Sequence, residues 1–455
     1  MKTWYQVSGI AMSLAIGLLF AHSAAAQDIR FEGEAGLITR TFFHDGAWPG
    51  QIDAGTSVIG TLRLGVTTDL SFGRFVGEIQ ASKDESTGVT DVDITKAYLE
   101  GDAGSFRWMI GSDVVFWGVA ESVNPVNIIN QRGSFADIAE DQRLGQPMAR
   151  LSFDTDTLGT FAVLALLDFR EQTYAEPAER FRLNATPDAG RTIYESGRDL
   201  GLALRNTNTM SFQNGSLDYA LSLFSGRDRQ PIYLPGCSLR QPSVSEATCN
   251  AINADVQTTY EGLTVSDGNN YIRQIFDASS PETQAFLQAG DSVGAVPYYQ
   301  DLHQIGVELA YSTGDWQFKF EGAQRITERE TYFSGVIGAE YDFGVLPGLG
   351  GSLSAAAEYV YDNRSVFQPA TFLDDDIFAA LRYDFGNVAD TRVTLSGLYD
   401  LNTDGTIVNL NLSSRLSDRA RIEVSTTLID SDDPNDPLTF FSEDDFFEVN
   451  LSYFF

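Results

Sequence analysis

The last ten residues, Phe446 to Phe455, read FFEVNLSYFF. Side chains of an extended chain alternate with a period of two, so Phe447, Val449, Leu451, Tyr453 and Phe455 share one face while Glu448, Asn450 and Ser452 share the other. One face suits lipid and the other suits water. A strand with an apolar outer face that ends in aromatic residues is how bacterial outer-membrane barrels close, the aromatics lying at the membrane–water interface. A soluble edge strand would show this alternation once, whereas a barrel must repeat it along the whole chain.

The alternation does repeat. From Ile29 to Phe43, Phe31, Ala35 and Leu37 oppose Glu32, Glu34 and Arg40; from Ser57 to Val66, Val58, Leu62 and Leu64 oppose Thr61 and Arg63. Phe75, Ile79 and Ala81 oppose Glu78 and Gln80, Ala97 and Leu99 oppose Lys96 and Glu100, and Phe106, Trp108 and Ile110 oppose Arg107. After an irregular stretch, Ala149, Leu151 and Phe153 oppose Arg150 and Ser152, and Leu158 to Leu167 is apolar on both faces. Leu200, Leu202 and Leu204 oppose Arg205, and Leu217, Tyr219, Leu221 and Leu223 oppose Asp218 and Ser222. Nine further segments centre near Val307, Phe318, Ile337, Ala355, Ala379, Leu395, Leu410, Val424 and Leu451. The sum is about eighteen segments of roughly ten residues, the length a tilted strand needs to cross a bilayer, with sixteen as the alternative count.

Connection lengths supply an independent check. Asp69 to Gly73, Asp102 to Gly104, Thr155 to Thr157, Thr313 to Asp315, Gly344 to Gly350, Gly386 to Ala389 and Ser417 are short and rich in turn formers. The alternate set holds His44 to Gly55, Val114 to Gly145, Asp168 to Arg198, Gly226 to Asp301 and Asp362 to Asp375. Short turns at one rim and long loops at the other are the signature of an outer-membrane barrel. The expected fold is therefore all-β, a transmembrane antiparallel β-barrel with short periplasmic turns and long extracellular loops, over residues 27–455.

Residues 1–26 read as a signal peptide: Lys2 precedes an apolar run from Ile10 to Phe20, and Ala24-Ala25-Ala26 offers a small-residue cleavage site. No later apolar run is long enough for a helical span, which excludes a helical inner-membrane transporter. The net charge of −33 argues against a nucleic-acid partner, since phosphates demand clustered Lys and Arg. Aromatic residues at 12% exclude a disordered chain. Cys237 and Cys249 fall in one irregular region and are expected to form a local disulfide in an oxidising periplasm. No histidine or third cysteine lies near enough to suggest a metal site, and no cofactor is indicated.

Two connections are too long to be mere links. The first, residues 114–145, reads VVFWGVAESVNPVNIINQRGSFADIAEDQRLG and is the third outward loop, the position from which porins fold a segment back to narrow the pore. Its apolar Val115, Phe116, Val119, Val126, Ile128 and Ile129 would be costly to leave in water, so infolding as a constriction is expected; packing over the rim is the alternative. The second, residues 226–301, carries both cysteines. It also holds a helix expected from Ser280-Pro281-Glu282 to Gly290, and it reads as a long extracellular loop or lid.

In the first of these, Trp117-Gly118, then Glu121, then Asn124-Pro125, then Asn127 to Asn130 resemble the tryptophan–glycine and asparagine–proline signature of large proteobacterial outer-membrane channel-like proteins. That family is of unknown function and distantly similar to alginate-export porins. The resemblance implies an outer-membrane channel of about this strand number, without a substrate or a catalytic residue. Asn127 stands where the family has an acidic residue, and the aspartate expected near Gln131-Arg132 is missing, so alginate specificity is not implied.

The expected pore lining joins Trp117, Glu121, Asn124 and Arg132 of the infolded loop to Arg40, Arg63, Arg107, Arg150, Glu78, Glu100 and Glu448 of the wall. Bases and acids nearly balance among inward positions. They either set a transverse field across the pore, favouring dipolar or polyhydroxylated solutes, or form cross-strand ion pairs that stiffen the barrel. The surplus acid lies in loops such as Asp374 to Asp376, Asp430 to Asp436 and Glu443 to Asp445, which could meet calcium or cation-bridged lipopolysaccharide but lack the fixed spacing of a calcium loop, and such runs are usually solvated surface.

The expected function is a porin-like channel for passive or facilitated diffusion of small polar or dipolar solutes. The alternative is an exporter or gated channel for a polymer or a more hydrophobic solute. An outer-membrane lipase or protease is disfavoured: the mature chain has two histidines, His44 and His303, neither with a serine at a fitting spacing. Expected partners are outer-membrane lipids and lipopolysaccharide, the barrel-assembly machinery acting on Phe455, and a small-molecule solute. The doubly apolar Leu158–Leu167 suits a subunit contact as well as acyl chains, leaving a homo-oligomer open.

Overall fold

The computed structural model describes residues 29–133, 143–182, 184, 187–197, 199–238, 244–263, 271–289, 293–348, 350–433 and 436–455. The signal peptide expected at 1–26 lies outside the described residues, as does Gly290.

Eighteen antiparallel strands close on themselves. The first nine are β1 (Ile29–Phe42), β2 (Gly55–Leu70), β3 (Gly73–Asp84), β4 (Thr90–Ala103), β5 (Phe106–Asp113), β6 (Gln146–Thr155), β7 (Gly159–Leu166), β8 (Gly201–Phe212) and β9 (Gly215–Arg227). The rest are β10 (Asp301–Thr313), β11 (Trp316–Ile326), β12 (Thr331–Val345), β13 (Ser352–Asp362), β14 (Asp375–Asp384), β15 (Arg392–Asp400), β16 (Thr406–Ser417), β17 (Ala420–Asp430) and β18 (Phe446–Phe454). Each strand pairs with the next. β18 returns to β1 with Glu448 opposite Arg40 and Tyr453 opposite Ala35. Phe455 extends the seam: its backbone exchanges hydrogen bonds with Gly33, and its ring covers that glycine, where an added Cβ would lie 2.4 Å from it.

The wall is turned inside out relative to a soluble domain. Leu62, Leu202, Ile337, Leu395 and Leu451 point outward and are exposed, and the intervening polar residues point into the lumen. Aromatic contacts sit near the ends of the strands, Trp316 against Tyr341 and Tyr453 against Phe455 among them. No helix among the described residues is long and apolar enough to cross a membrane. A closed barrel leaves no backbone group unpaired in hydrocarbon, and an apolar belt around a polar interior fits acyl tails outside and water within. The chain is thus an outer-membrane β-barrel.

Short turns gather at one rim, including the turn at 213–214 that the sequence reading passes over. Long connections gather at the other, although 85–89, 327–330 and 401–405 there are also short. Above that rim residues 228–300 build a lobe. Its three-stranded sheet uses Ile232–Cys237 and Val293–Tyr299, with Ile193–Tyr194 from the preceding loop added in parallel. Helices at Glu246–Gly262, Tyr271–Ala278 and Pro281–Ala289 pack on it, and Cys237 and Cys249 form a disulfide. Residues 167–200 leave the barrel between β7 and β8 and reach β1, β17 and β18, where Phe181 packs with Phe42, Ile429 and Phe446. There the buried Arg180 donates to Asp444 at 2.5 Å and lies over the Phe42 ring.

Candidate functional site

Residues 114–145 join β5 to β6, and 134–142 lie outside the described residues. The segment 115–129 rests against inward side chains of the barrel wall. Trp117, Val126, Ile128 and Ile129 are at most 3% exposed and form one apolar cluster with Met109, Met148, Leu164, Leu166, Phe224 and Ala323. Each buried side chain of this size contributes about 1.5–3 kcal/mol. The cluster also accounts for the doubly apolar strand. Leu164 and Leu166 face inward, paired in register with Arg150 and Met148, to receive the segment, while Val163 faces out.

Along 118–126 the segment's backbone makes no ladder, and the wall supplies acceptors instead. The Glu308 carboxylate accepts from the Gly118 N–H, Glu321 from Val119, Ala120 and Val126, and Glu358 from Glu121 and Ser122. Glu308 and Glu321 stand directly opposite each other on β10 and β11. Two like charges so placed repel, and the N–H groups together with Arg205, which donates to Glu308 at 2.7 Å, relieve that repulsion. Carbonyls of the segment are held in turn: Gln304 donates to Val126, Arg325 to Pro125 and Arg229 to Ile128.

The residues of the family-like signature shape the segment itself. Gly118 has φ +144, and a Cβ there would lie 1.7 Å from Asn124 Oδ1, so only glycine lets Asn124 pack against it. The Asn127 backbone N–H donates to the Asn124 carbonyl, and the Trp117 N–H donates to Asn127 Oδ1. The Trp117 ring lies 4.9 Å from the Arg205 guanidinium. Asn130 closes the base of the loop, accepting from Val115 N–H and donating to the carbonyls of Asp113 and Leu144.

Trp117 accordingly faces the wall and not the passage. Glu121 reaches the lumen, where it meets Lys319 at 2.8 Å and Arg382 at 3.5 Å, both of which also contact Glu340. Beneath the segment a cavity of about 460 Å³ is lined by Gly118, Val119, Arg205, Thr207, Asp218 and Glu308, among others. The remaining residues named from sequence are dispersed around the wall, and most sit in ion pairs with near neighbours. Arg40 meets Glu448 at 2.7 Å, Arg63 meets Glu34 at 3.3 Å, Lys96 meets Glu78 at 3.1 Å, Arg107 meets Asp154 at 3.0 Å and Arg150 meets Asp113 at 3.6 Å. Glu100 stands opposite Arg74 on β3 and Met109 on β5, and Arg132 forms an isolated bridge with Arg143. Bases and acids thus alternate between nearby strands as local pairs, the second of the two arrangements open from the sequence.

Glu308, Glu321 and Glu358 are absent from the lining named from sequence, since alternation alone does not reveal their work as acceptors. The signal that could have revealed it is the direct opposition of Glu308 and Glu321, visible only once the register of β10 and β11 is known.

No protein-family model matches this chain, and no curated protein does. Among solved structures it is similar to OccAB2 of Acinetobacter baumannii, at 8% identity and a TM-score of 0.49, covering 94% of this chain and 98% of that one. It is similar also to a BenF-like porin from Pseudomonas fluorescens Pf-5, at 8% identity and 0.47 over 94% and 98% of the two chains. Pseudomonas aeruginosa OccK5 (OpdH) gives 9% identity and 0.47 over 94% and 97%.

Proposed function

We propose that this outer-membrane barrel is a porin-like channel through which small polar solutes diffuse, and that residues 115–129 form its constriction. The observation that carries this reading is the set of wall carboxylates accepting the segment's backbone N–H groups. An irregular backbone is tolerated at membrane depth only where it is buried in protein or lines a water-filled cavity, and three wall carboxylates committed to one strand-free segment support its place inside the barrel. Phe455, exposed at the seam, is offered to the barrel-assembly machinery, and the acidic loops to cation-bridged lipopolysaccharide.

Single-channel recording in planar bilayers tests it. The native chain is expected to conduct steadily, and replacing Gly118–Val126 by a short Gly-Ser linker is expected to raise the conductance. Equal conductance in the two would remove the constriction role, and no conductance in either would remove the channel. The gated or exporting alternative draws on the long connection 167–200 reaching across to Phe42 and Phe446. It gains ground if the native chain is closed and opens only on deletion of 226–301.

A further inference from the structure

The apolar cluster that receives the segment reaches Tyr98 on β4, and the segment's ion pairs reach Arg382 on β14. None of these contacts falls on the arc β15–β18 among the described residues. Its side chains differ in kind from those of the occupied arc. Thr394 on β15 stands opposite Asn411 on β16, Asn411 opposite Ser425 on β17, and Ser425 opposite Glu448 on β18. One level toward the turn rim, Ser413 and Asn450 flank Glu423. These hydroxyl and amide side chains are half-buried and point inward, between outward Leu395, Leu410, Leu412 and Leu451. The charges among them are matched nearby: Glu448 by Arg40, Glu34 by Arg63, and Glu423 by Arg421.

We propose that this arc is a track for neutral polyhydroxylated solutes of sugar size. This rests on the channel reading and goes beyond it in naming the solute. Each hydroxyl of such a solute both donates and accepts, as do Thr394, Asn411 and Ser425, so bonds lost to water are replaced pairwise along the wall. An ion of the same size must shed part of its hydration where the charges of opposite sign are already engaged, and nothing compensates it. The occupied arc cannot serve in the same way, because Glu308, Glu321 and Glu358 are committed to the segment's backbone.

The experiment uses the full mature chain in vesicles, with swelling rates measured in glucose, gluconate and glucosamine, and KCl conductance recorded in parallel. Glucose is expected to enter about threefold faster than either ion, the size of effect one net hydrogen bond confers. In N411L/S425V, which removes the amide and the hydroxyl from the arc, that ratio is expected to fall toward one while KCl conductance stays within about twofold. Native rates equal for all three solutes, or a ratio unchanged in the variant, would overturn the track and leave the channel standing. Absence of KCl conductance in the native chain would overturn the channel and the track together. Should N411L/S425V not fold, shown by loss of the heat-modifiable gel shift of a closed barrel, T394V alone gives the same two readouts.

Discussion

The two long connections of this barrel are ordered by opposite means. The segment 115–129 has no helix or ladder of its own; its apolar side chains sink into a cluster that the wall completes, and its N–H groups end on wall carboxylates. The lobe at 228–300 carries its own core of Leu234, Val256, Tyr260, Ile275 and Tyr298. There Asn253 serves both the N–H and the carbonyl of Cys237, and a disulfide closes the sheet onto the first helix. A segment that borrows its order from the lumen reports on the lumen, whereas the lobe, which adds only Phe367 of the β13–β14 loop to its core and meets the segment through Arg229, can change with little effect on the passage. Lesions in the wall should therefore reach the first and spare the second.

The largest effect is expected from Glu321→Ala. Val119 and Val126 lose their acceptor, and each buried N–H left unsatisfied costs about 1–3 kcal/mol, partly offset by relief of the repulsion from Glu308. The expected outcome is a higher and noisier conductance, with new protease cleavage between Gly118 and Val126, while the lobe stays as resistant as in the native protein. Cleavage within 246–289 at the same rate would show that the two connections are coupled and would break the contrast.

The converse lesion is expected to be smaller. Cys237 and Cys249 are separated by 12 in sequence, and a loop of that size confers about 3 kcal/mol through the unfolded state. Replacing both by Ala should speed proteolysis of the lobe and lower its local unfolding temperature, leaving the conductance and the barrel's own melting unchanged. A shift in conductance would mean that the lobe constrains the passage after all.

How much of this could be read beforehand follows the same division. All eighteen strands were legible, because a wall with lipid outside and water inside imposes an alternation that no single residue can hide. Ser280 caps the helix at Pro281 as its sequence suggests, its Oγ accepting from the Thr283 N–H. The helix at Glu246–Gly262 was not read, although Ser245 caps it and Cys249, Ile252, Val256 and Tyr260 recur at helical spacing; a polar background diluted the stripe. Ion pairing around the lumen was beyond reach, since whether Arg382 meets Glu121 depends on how a loop is laid across strands far apart in sequence.

A third stretch, 173–182, lies between the two extremes and carries the smallest expected effect. It turns on itself, the Glu179 carboxylate accepting from the Glu176 N–H at 2.6 Å, yet it docks on the rim through Arg180 and Asp444. Burial pushes the Glu179 carboxyl up to about 7, with the nearby carboxylates of Asp91, Asp84 and Glu176 adding to the rise and the Glu176 N–H opposing it. A carboxyl raised in the folded state costs nothing below its unfolded value, where both states hold the proton. Between that value and about 7 the folded state binds more proton, so stability falls as pH rises, and the full cost applies above it. Partial exposure to solvent holds that cost to about 1 kcal/mol. Amide exchange in 173–182 should therefore quicken between pH 5 and pH 8 beyond the intrinsic chemical rate, and in Glu179→Gln it should follow the intrinsic rate alone. If native and variant keep the same pH slope, the rim sets the order of this stretch and Glu179 does not. If the variant flattens the slope while exchange in 246–289 is unmoved, this stretch joins the infolded segment in depending on what the barrel surrounds it with.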